Sequence, residues 1–419
     1  MQKLSNNRSI NKLVWVSVLM YFGSYVSRIN FAAVMVEFIR CEGLLKTQVS
    51  VITTLAFITY GIGQLISGWL GDKINPQRLI VLGFVLTIVM NMVMPVASPN
   101  ITLMAIIWGV NGLAQSFMWP PLVKILMTAL TETDYSRSIS KIGVGSAGGT
   151  LAVYLVTPLC IQLFGWKSVF YVSAATALVA CTVFTLVTSH LLKGIDYKKV
   201  PESKKSEEKT KSSQAELDIA KAFTAIFPVI LVTIAMQGLL RDGITTWTPT
   251  FLSETFGISS SIAILTSVVL PLVYLLSNLV IYSVLRLFKN DLFACLAAYF
   301  GLAGLAAALL LLVGRNSLVV AVILLSLISA ALHGVNIMQT CHIPSFFRST
   351  GKVSLIAGVL NAATYVGSAV STYVFALLAE KFSWNATILF WVIIAALAVA
   401  IILLCMLKLH KLPNKGRIK

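Results

Sequence analysis

Long runs of apolar residues alternate with short polar stretches along almost the whole chain. About 20 apolar residues are enough for a helix to cross the hydrocarbon core of a bilayer, and twelve runs approach this length. The runs predict spanning helices at residues 13–36, 49–70, 79–96, 101–129, 139–163, 168–192, 223–252, 262–285, 292–313, 317–345, 354–378 and 385–407. The pattern therefore predicts an all-α membrane protein with twelve transmembrane helices.

One polar segment interrupts this pattern near the middle of the chain. Residues 193–221 are rich in Lys, Glu and Ser and almost free of large apolar side chains, a composition typical of a flexible linker. We predict an N-terminal six-helix half at residues 1–192 and a C-terminal six-helix half at residues 222–419, joined by this linker. A contact between the linker lysines and anionic lipids is the alternative interpretation.

The composition and the placement of charge set the orientation. Of the 419 residues, 58% are hydrophobic and 11% are charged, and the mean hydropathy is +0.88, which excludes a soluble domain. Predicted loops on one side carry 24 of the 32 Lys and Arg residues, and loops on the other side carry 5. Positive loops face the cytoplasm, so we expect a bacterial inner-membrane protein with both termini cytoplasmic. The charge follows one membrane face, so the expected partner is the lipid bilayer and not nucleic acid.

The sequence offers little support for catalysis. The six cysteines lie mostly in or beside apolar runs, without the spacing of disulfide or metal sites. No catalytic constellation and no nucleotide-binding loop is evident. We therefore expect a protein that is not an enzyme, works as a monomer, and uses no cofactor and no metal.

Two arginines are the main candidates for chemistry, because each lies inside an apolar run. Arg28 is in the first predicted span of the N-terminal half, and Arg241 is in the first predicted span of the C-terminal half. A charge at the bilayer centre costs roughly 2.5–3.5 kcal/mol on insertion scales, and guanidinium forks suit phosphate and carboxylate geometry. Asp242 follows Arg241, but consecutive helical residues do not face each other. We therefore expect both arginines to be available to a small anionic substrate.

The two arginines also mark an internal repeat. A glycine follows Arg28 by 15 residues, at Gly43, and another follows Arg241 by 16 residues, at Gly257. Two parallel six-helix halves are the organisation of the major facilitator fold, in which substrate binds near the membrane midplane between the halves.

The loop after the second predicted span adds to this resemblance. Its sequence, GWLGDKINPQR, resembles the loop signature of the major facilitator superfamily, with Gly68, Asp72, Lys73 and Arg78 at the motif positions. The resemblance implies a gating contact on the cytoplasmic side. The glycine would permit close helix approach, and the aspartate would accept charge-assisted hydrogen bonds.

Longer segments resemble one family within that superfamily. YFGSYVSRINFAAVM, MWPP and LLRDGITTWTPTFL, together with GDKINPQR, are similar to the organophosphate:phosphate antiporters, which include glycerol-3-phosphate and hexose-phosphate transporters. The similarity spans nearly the whole chain apart from the linker. It implies that Arg28 and Arg241 clasp the phosphate group, and that an organic phosphate is exchanged for inorganic phosphate.

Neighbouring residues complete the candidate site. Tyr21 and Tyr25 precede Arg28 by seven and three residues and so share its helical face. They match tyrosines of the family's cavity, although ordinary helix packing would also explain them. Gln237 lies one turn before Arg241 and is expected to face the same cavity.

Further candidates come from the resemblance alone. His342 falls where family members carry a histidine, which can add positive charge near neutral pH, and the alternative is a packing histidine. Tyr365 matches a cavity tyrosine. Val144 and Gln64 replace a histidine and a lysine of the glycerol-3-phosphate branch, leaving the organic half of the substrate open. Lys141 either supplies a replacement charge or extends to the cytoplasmic surface.

These features favour anion exchange. Two uncompensated arginines would oppose closure of an empty site, whereas a bound anion would offset their charge. One alternative is a proton-coupled symporter of an organic carboxylate, with Asp242 or His342 carrying the proton. The other is a non-transporting sugar-phosphate sensor, which would need a membrane partner because the linker and tails are too short for a signalling domain.

Overall fold

The computed structural model describes residues 4, 6–193, 195, 197, 214–289, 291–345 and 353–410. Most of the predicted linker at 193–221 lies outside the described residues. Within helices, the side chains of Asp72 and Cys341 also lie outside the described part of the chain.

The described residues form helices and connecting turns, with no strand among them. The first part of the chain contains α1 (Asn7–Glu42), α2 (Lys46–Lys73), α3 (Pro76–Ala97), α4 (Ile101–Ser116), α5 (Trp119–Ala129), α6 (Glu132–Phe164) and α7 (Ser168–Leu191). The second part contains α8 (Gln214–Phe256), α9 (Ser260–Thr266), α10 (Val269–Leu287), α11 (Leu292–Val313), α12 (Leu318–Ile337), α13 (Ile343–Ser345), α14 (Val353–Lys381) and α15 (Trp384–His410). The all-α prediction is confirmed.

Eleven helical segments in the described part of the chain are long and apolar enough to cross a membrane. They correspond to the second through twelfth predicted spans. The first predicted span lies on α1, which has 36 residues but is not among the eleven. Its buried polar side chains and Arg28 lower its hydropathy, and the same residues make α1 the most informative helix for function.

Prolines explain where three predicted spans are interrupted. A proline lacks the N–H that would bond to the carbonyl four residues earlier, and its ring clashes with that carbonyl. Pro120 and Pro121 accompany the break between α4 and α5, and Pro271 accompanies the break between α9 and α10. Before Pro344 the chain widens into a π-helical segment, Met338–His342. Segments of this type are frequent at functional sites.

The chain divides into two compact units. The N-unit comprises Met1–Lys205 with Ser260–Leu265, and the C-unit comprises Ser206–Ser259 with Thr266–Lys419. The boundaries of the predicted halves and linker stay predictions.

Each unit contains the same pattern of helix packing. In the N-unit, α1 packs against α6 and α7, α2 packs against α4, and α3 packs against α4 and α7. In the C-unit, α8 packs against α14 and α15, α10 packs against α12, and α11 packs against α12 and α15. The helices correspond in chain order, so α8 occupies in the C-unit the position that α1 occupies in the N-unit.

The ends of α1 and α8 show the repeat at single-residue detail. Gly43 caps α1 with φ of 63°, and Gly257 follows α8 with φ of 64°. This left-handed conformation favours glycine because a Cβ atom would be strained there. The two glycines of the sequence repeat therefore end equivalent helices.

Candidate functional site

Arg28 lies against aromatic rings in the N-unit. Its guanidinium carbon is 4.0 Å from the ring centroid of Tyr60 on α2 and 5.5 Å from that of Tyr25. Contacts of a cation with ring faces are worth about 0.5–2 kcal/mol, more when the groups are desolvated. Arg28 is half-buried, so the rings stabilise its charge within the apolar run. Tyr60 was not anticipated from the sequence.

The predicted neighbours of Arg28 adjoin it on α1. The ring centroids of Tyr21 and Tyr25 are 5.1 Å apart in an edge-to-face arrangement, and Tyr21 also packs 5.0 Å from Trp119 on α5. Tyr21, Tyr25 and Arg28 therefore form a continuous row. Trp119 belongs to the MWPP segment, so this segment contacts the row through the ring of Trp119.

A buried polar network holds α1 at the level of Arg28. The side-chain amides of Asn91 on α3 and Asn111 on α4 donate to the carbonyl oxygen of Ser27, each at 3.2 Å. Asn30 donates to the Asn91 side chain at 2.7 Å, and Gln115 accepts from Ser24 at 2.7 Å. These hydrogen bonds tie the part of α1 that carries Arg28 to α3 and α4, although the side-chain oxygens of Asn30 and Asn111 have no hydrogen-bond partner among the described residues. These residues were not anticipated from the sequence, although asparagine and glutamine side chains inside apolar runs are a signal by which such a network could be found.

The packing of α6 against α1 depends on small residues. A Cβ atom added to Gly145 or Gly149 would collide with the backbone of α1. The glycine-rich segment KIGVGSAGG therefore serves close helix approach. In the same segment Lys141 is exposed, and Val144 is 61% exposed. Gln64 on α2 is buried, and its side-chain N–H group has no hydrogen-bond partner among the described residues.

The glycine of the loop signature, Gly68, lies where no described helix comes close to α2. A Cβ atom on Gly68 would meet no described atom within 4 Å, so close helix approach at Gly68 stays a prediction. Close approach to α2 occurs five residues earlier, at Gly63, where a Cβ atom would collide with the side chain of Ser116 on α4. The gating role of the motif stays a prediction.

Other residues of this loop have visible structural roles. The Lys73 ammonium lies 3.6 Å from the ring centroid of Trp69. The Lys124 ammonium donates to the carbonyl oxygen of Gly71 at 2.6 Å, where a cation complements the end of a helix. Asn75 caps α3 by accepting from the N–H of Gln77, and Arg78 is exposed.

Arg241 in the C-unit forms an ion pair with its immediate neighbour. Its Nε donates to Oδ1 of Asp242 at 2.7 Å, and its Nη2 donates to Oδ2 at 2.9 Å. The side chains of Arg241 and Asp242 are only 20% and 17% exposed. The expectation that Asp242 leaves Arg241 uncancelled is therefore wrong. Adjacent helical side chains diverge at their Cβ atoms, but a long arginine can bend back to a short aspartate.

Two further groups surround this pair. The Ser368 hydroxyl on α14 donates to Oδ2 of Asp242 at 2.5 Å. His333 on α12 is within electrostatic reach of Arg241, and its ring centroid lies 4.8 Å from that of Tyr274 on α10. The sequence points to His342, the second histidine of the segment HGVNIMQTCH, whereas the first, His333, is the one that interacts electrostatically with Arg241.

The other predicted site residues of the C-unit, Gln237, Tyr365 and His342, differ in how deeply they are buried. Gln237 is fully buried on α8, and its side-chain N–H donates to the Leu332 carbonyl oxygen of α12 at 3.3 Å. Tyr365 is buried on α14, and His342 is half-buried at the end of the π-helical segment. Their roles in a substrate site stay predictions.

Comparison with known proteins places this architecture in a family. The sequence model of the Major Facilitator Superfamily matches residues 17–357. The chain belongs to the Major Facilitator Superfamily. Superfamily membership makes the protein a multi-pass membrane transporter rather than an enzyme.

Named relatives within the superfamily match part of the chain. A glycerol-3-phosphate transporter of Bacillus subtilis (strain 168) is 26% identical over 253 residues, which cover 57% of this chain and 56% of that protein. A "probable hexose phosphate transport protein" of Chlamydia trachomatis serovar D is 26% identical over 161 residues, covering 38% of this chain and 35% of the relative. The chain therefore matches about half the length of the Bacillus relative and about a third of the length of the Chlamydia relative.

Solved structures of other transporters share the fold over nearly the full length. A bacterial homologue of the human lysosomal transporter Spinster superimposes with a TM-score of 0.76 and 13% identity, covering 96% of this chain and 98% of that one. The peptide transporter POT in complex with sulfate superimposes with a TM-score of 0.73 and 14% identity, covering 95% and 94%. At these identities the likeness concerns the fold alone.

Proposed function

We propose that this superfamily member exchanges a phosphorylated small organic metabolite for inorganic phosphate by alternating access. The names of the Bacillus and Chlamydia relatives support an organic phosphate as the substrate class. Transporters built from repeated halves bind substrate near the membrane midplane and expose it to each side in turn.

The observation that carries the proposal is the equivalent placement of one arginine in each unit. Arg28 on α1 and Arg241 on α8 precede the left-handed glycines that end these helices by 15 and 16 residues. Both side chains are half-buried inside helices of a membrane protein. A charge there is costly unless it has a function, and binding of a phosphate dianion is the function that guanidinium geometry suits.

The remaining candidates have subsidiary roles in this proposal. Contacts to the phosphate or to the organic moiety are assigned to Tyr21, Tyr25, Gln237, His342, Lys141 and Tyr365. Cytoplasmic gating is assigned to the motif residues Gly68, Asp72, Lys73 and Arg78.

The substrate class can be tested in proteoliposomes that are preloaded with inorganic phosphate. We expect rapid uptake of at least one radiolabelled compound from a panel of three-carbon and hexose phosphates. Monocarboxylates of matched size should enter far more slowly, because they lack the second negative charge of a phosphate dianion. Rapid uptake of carboxylates without any organic phosphate would contradict the proposed substrate class.

We further propose a monomer in a bacterial inner membrane with both termini in the cytoplasm, and this orientation predicts a labelling pattern. A cysteine at Ser206, in a Cys41→Ser background, should not react with a membrane-impermeant thiol reagent added to intact cells. Native Cys41, which is exposed at the end of α1, should react. Burial and the hydrogen bond to Glu37 raise the pKa of the Cys41 thiol, so labelling should be faster at mildly alkaline pH. The reverse pattern would overturn the orientation.

The C-unit ion pair favours a second candidate, proton-coupled uptake of an organic anion. Asp242 is a carboxylate within a predicted span and is hydrogen-bonded to Arg241 and Ser368. A substrate anion that replaced it on Arg241 would leave the carboxylate free to take up a proton. Strong uptake into phosphate-free vesicles under an inward proton gradient would favour this candidate over exchange.

A further inference from the structure

The carboxylate of Asp242 binds Arg241 in the way that a substrate anion would. Two parallel N–H···O bonds of 2.7 and 2.9 Å join the guanidinium edge to the two carboxylate oxygens. This fork-to-fork geometry is the one through which arginine recognises carboxylates and phosphates. Arg241 therefore already holds an anion, and that anion belongs to the protein.

Packing of α8 against α14 keeps the carboxylate in this position. A Cβ atom on Gly238 would collide with the backbone of Thr364, and one on Gly367 would collide with the backbone of Ala235. The two helices approach closely at these glycines. Ser368 follows Gly367, so its hydroxyl is brought to Oδ2 of Asp242 at 2.5 Å.

The Ser368 contact gives the carboxylate a preferred orientation. The hydroxyl also lies within 3.0 Å of the Thr364 carbonyl oxygen of its own helix, and its single proton can serve only one acceptor at a time. A hydrogen bond to a charged acceptor is the stronger of the two. Ser368 is therefore a positioning residue that favours the state in which Asp242 is paired with Arg241.

We infer that Asp242 is an internal counter-anion that competes with the substrate phosphate for Arg241. The inference rests on the proposed function, which makes Arg241 a phosphate ligand. A guanidinium has five N–H donors, and Asp242 uses the edge formed by Nε and Nη2. A phosphate that takes this edge must displace the carboxylate, so Asp242 lowers substrate affinity.

The same pairing changes the energetics of the empty transporter. A cation in an apolar environment is costly without a counter-charge, and the Arg241–Asp242 pair carries no net charge. The C-unit can therefore change conformation without substrate at a lower cost than a bare arginine would allow. Asp242 accordingly permits some net transport beside exchange, and its removal should make exchange stricter.

The test compares wild type with Asp242→Asn in two measurements. In the first, binding of radiolabelled inorganic phosphate to the purified protein should tighten at least about tenfold, because a charge-assisted competitor is lost. In the second, efflux of labelled phosphate from proteoliposomes is measured with and without external phosphate. The ratio of exchange to net efflux should rise in the variant.

Two serine variants on α14 make the test specific. Ser368→Ala removes the positioning hydroxyl but keeps the carboxylate, and should shift both readouts in the same direction by a smaller factor. Ser371→Ala is the matched control, because that buried hydroxyl donates to the Ser368 carbonyl oxygen of its own helix. It should leave both readouts at wild-type values.

Each outcome has a defined meaning. Unchanged or weaker phosphate binding by folded Asp242→Asn would overturn the inference, as would an unchanged exchange ratio. If that variant does not fold, Ser368→Ala decides, and values equal to those of Ser371→Ala overturn the inference. A wild-type protein that neither binds nor transports phosphate contradicts the proposed function instead, so the two failures are distinguishable.

Discussion

Replacing either Arg28 or Arg241 with lysine is expected to abolish most substrate exchange. Lysine keeps the positive charge but loses the planar fork that bonds to two oxygens at once. Loss of one charge-assisted hydrogen bond of about 1.5–3 kcal/mol weakens binding by about ten- to hundredfold. At Arg28 the change also removes the contact with the Tyr60 ring, whose centroid is 4.0 Å away. The measurement is phosphate-driven uptake of an organic phosphate by the purified variants.

A matched substitution separates this effect from a general loss of positive charge. Arg286 is exposed near the end of α10, so Arg286→Lys should transport at the wild-type rate. All three variants keep their positive charge, so each should still insert into the membrane as wild type does. Near-wild-type exchange by either the Arg28 or the Arg241 variant would show that this arginine does not bind the phosphate.

Gly367→Ala is expected to cause a large loss of stability, although it adds a single methyl group. The added Cβ would overlap the carbonyl oxygen of Ala235 on α8, and a backbone atom cannot rotate away. Overpacking of this type costs about 1–3 kcal/mol, occasionally more. The helices would have to separate, which would also withdraw Ser368 from Asp242. Thermal unfolding of the purified protein and phosphate binding are the measurements.

Gly358→Ala on the same helix is the control for this prediction. Among the described residues, no atom would lie within 4 Å of a Cβ atom there, and alanine is the better helix former by up to about 1 kcal/mol. We expect this variant to be as stable as wild type or slightly more stable. Equal unfolding temperatures for the two variants would show that α8 and α14 do not depend on close approach at Gly367.

The sequence was sufficient for the architecture because the membrane imposes simple rules on composition. Apolar length predicts twelve spans, and eleven described helical segments are long and apolar enough to cross a membrane. The first predicted span lies on α1, whose polar residues lower its hydropathy. The breaks before Pro120 and Pro271 were not predicted, although prolines mark them in the sequence. In both cases a few residues, polar side chains or prolines, changed a helix whose apolar character was judged over about 20 residues.

The candidate site was less accessible to sequence reasoning. Helical spacing correctly brought Tyr21, Tyr25 and Arg28 into one row. It failed for Arg241 and Asp242, because the rule that consecutive residues diverge describes Cβ directions and not the reach of a long side chain. It also gave no means of finding Tyr60, which contacts Arg28 from another helix. Contacts between helices distant in sequence require the tertiary structure.

Exchange itself is the central claim, and one flux measurement tests it most directly. Proteoliposomes containing the purified protein are loaded with radiolabelled inorganic phosphate and diluted into buffer with or without an organic phosphate that the protein transports. We expect rapid loss of label when the organic phosphate is present outside and much slower loss when it is absent, with little effect of an imposed proton gradient. Efflux at the same rate in both buffers, or uptake driven by the proton gradient in the absence of internal phosphate, would contradict it.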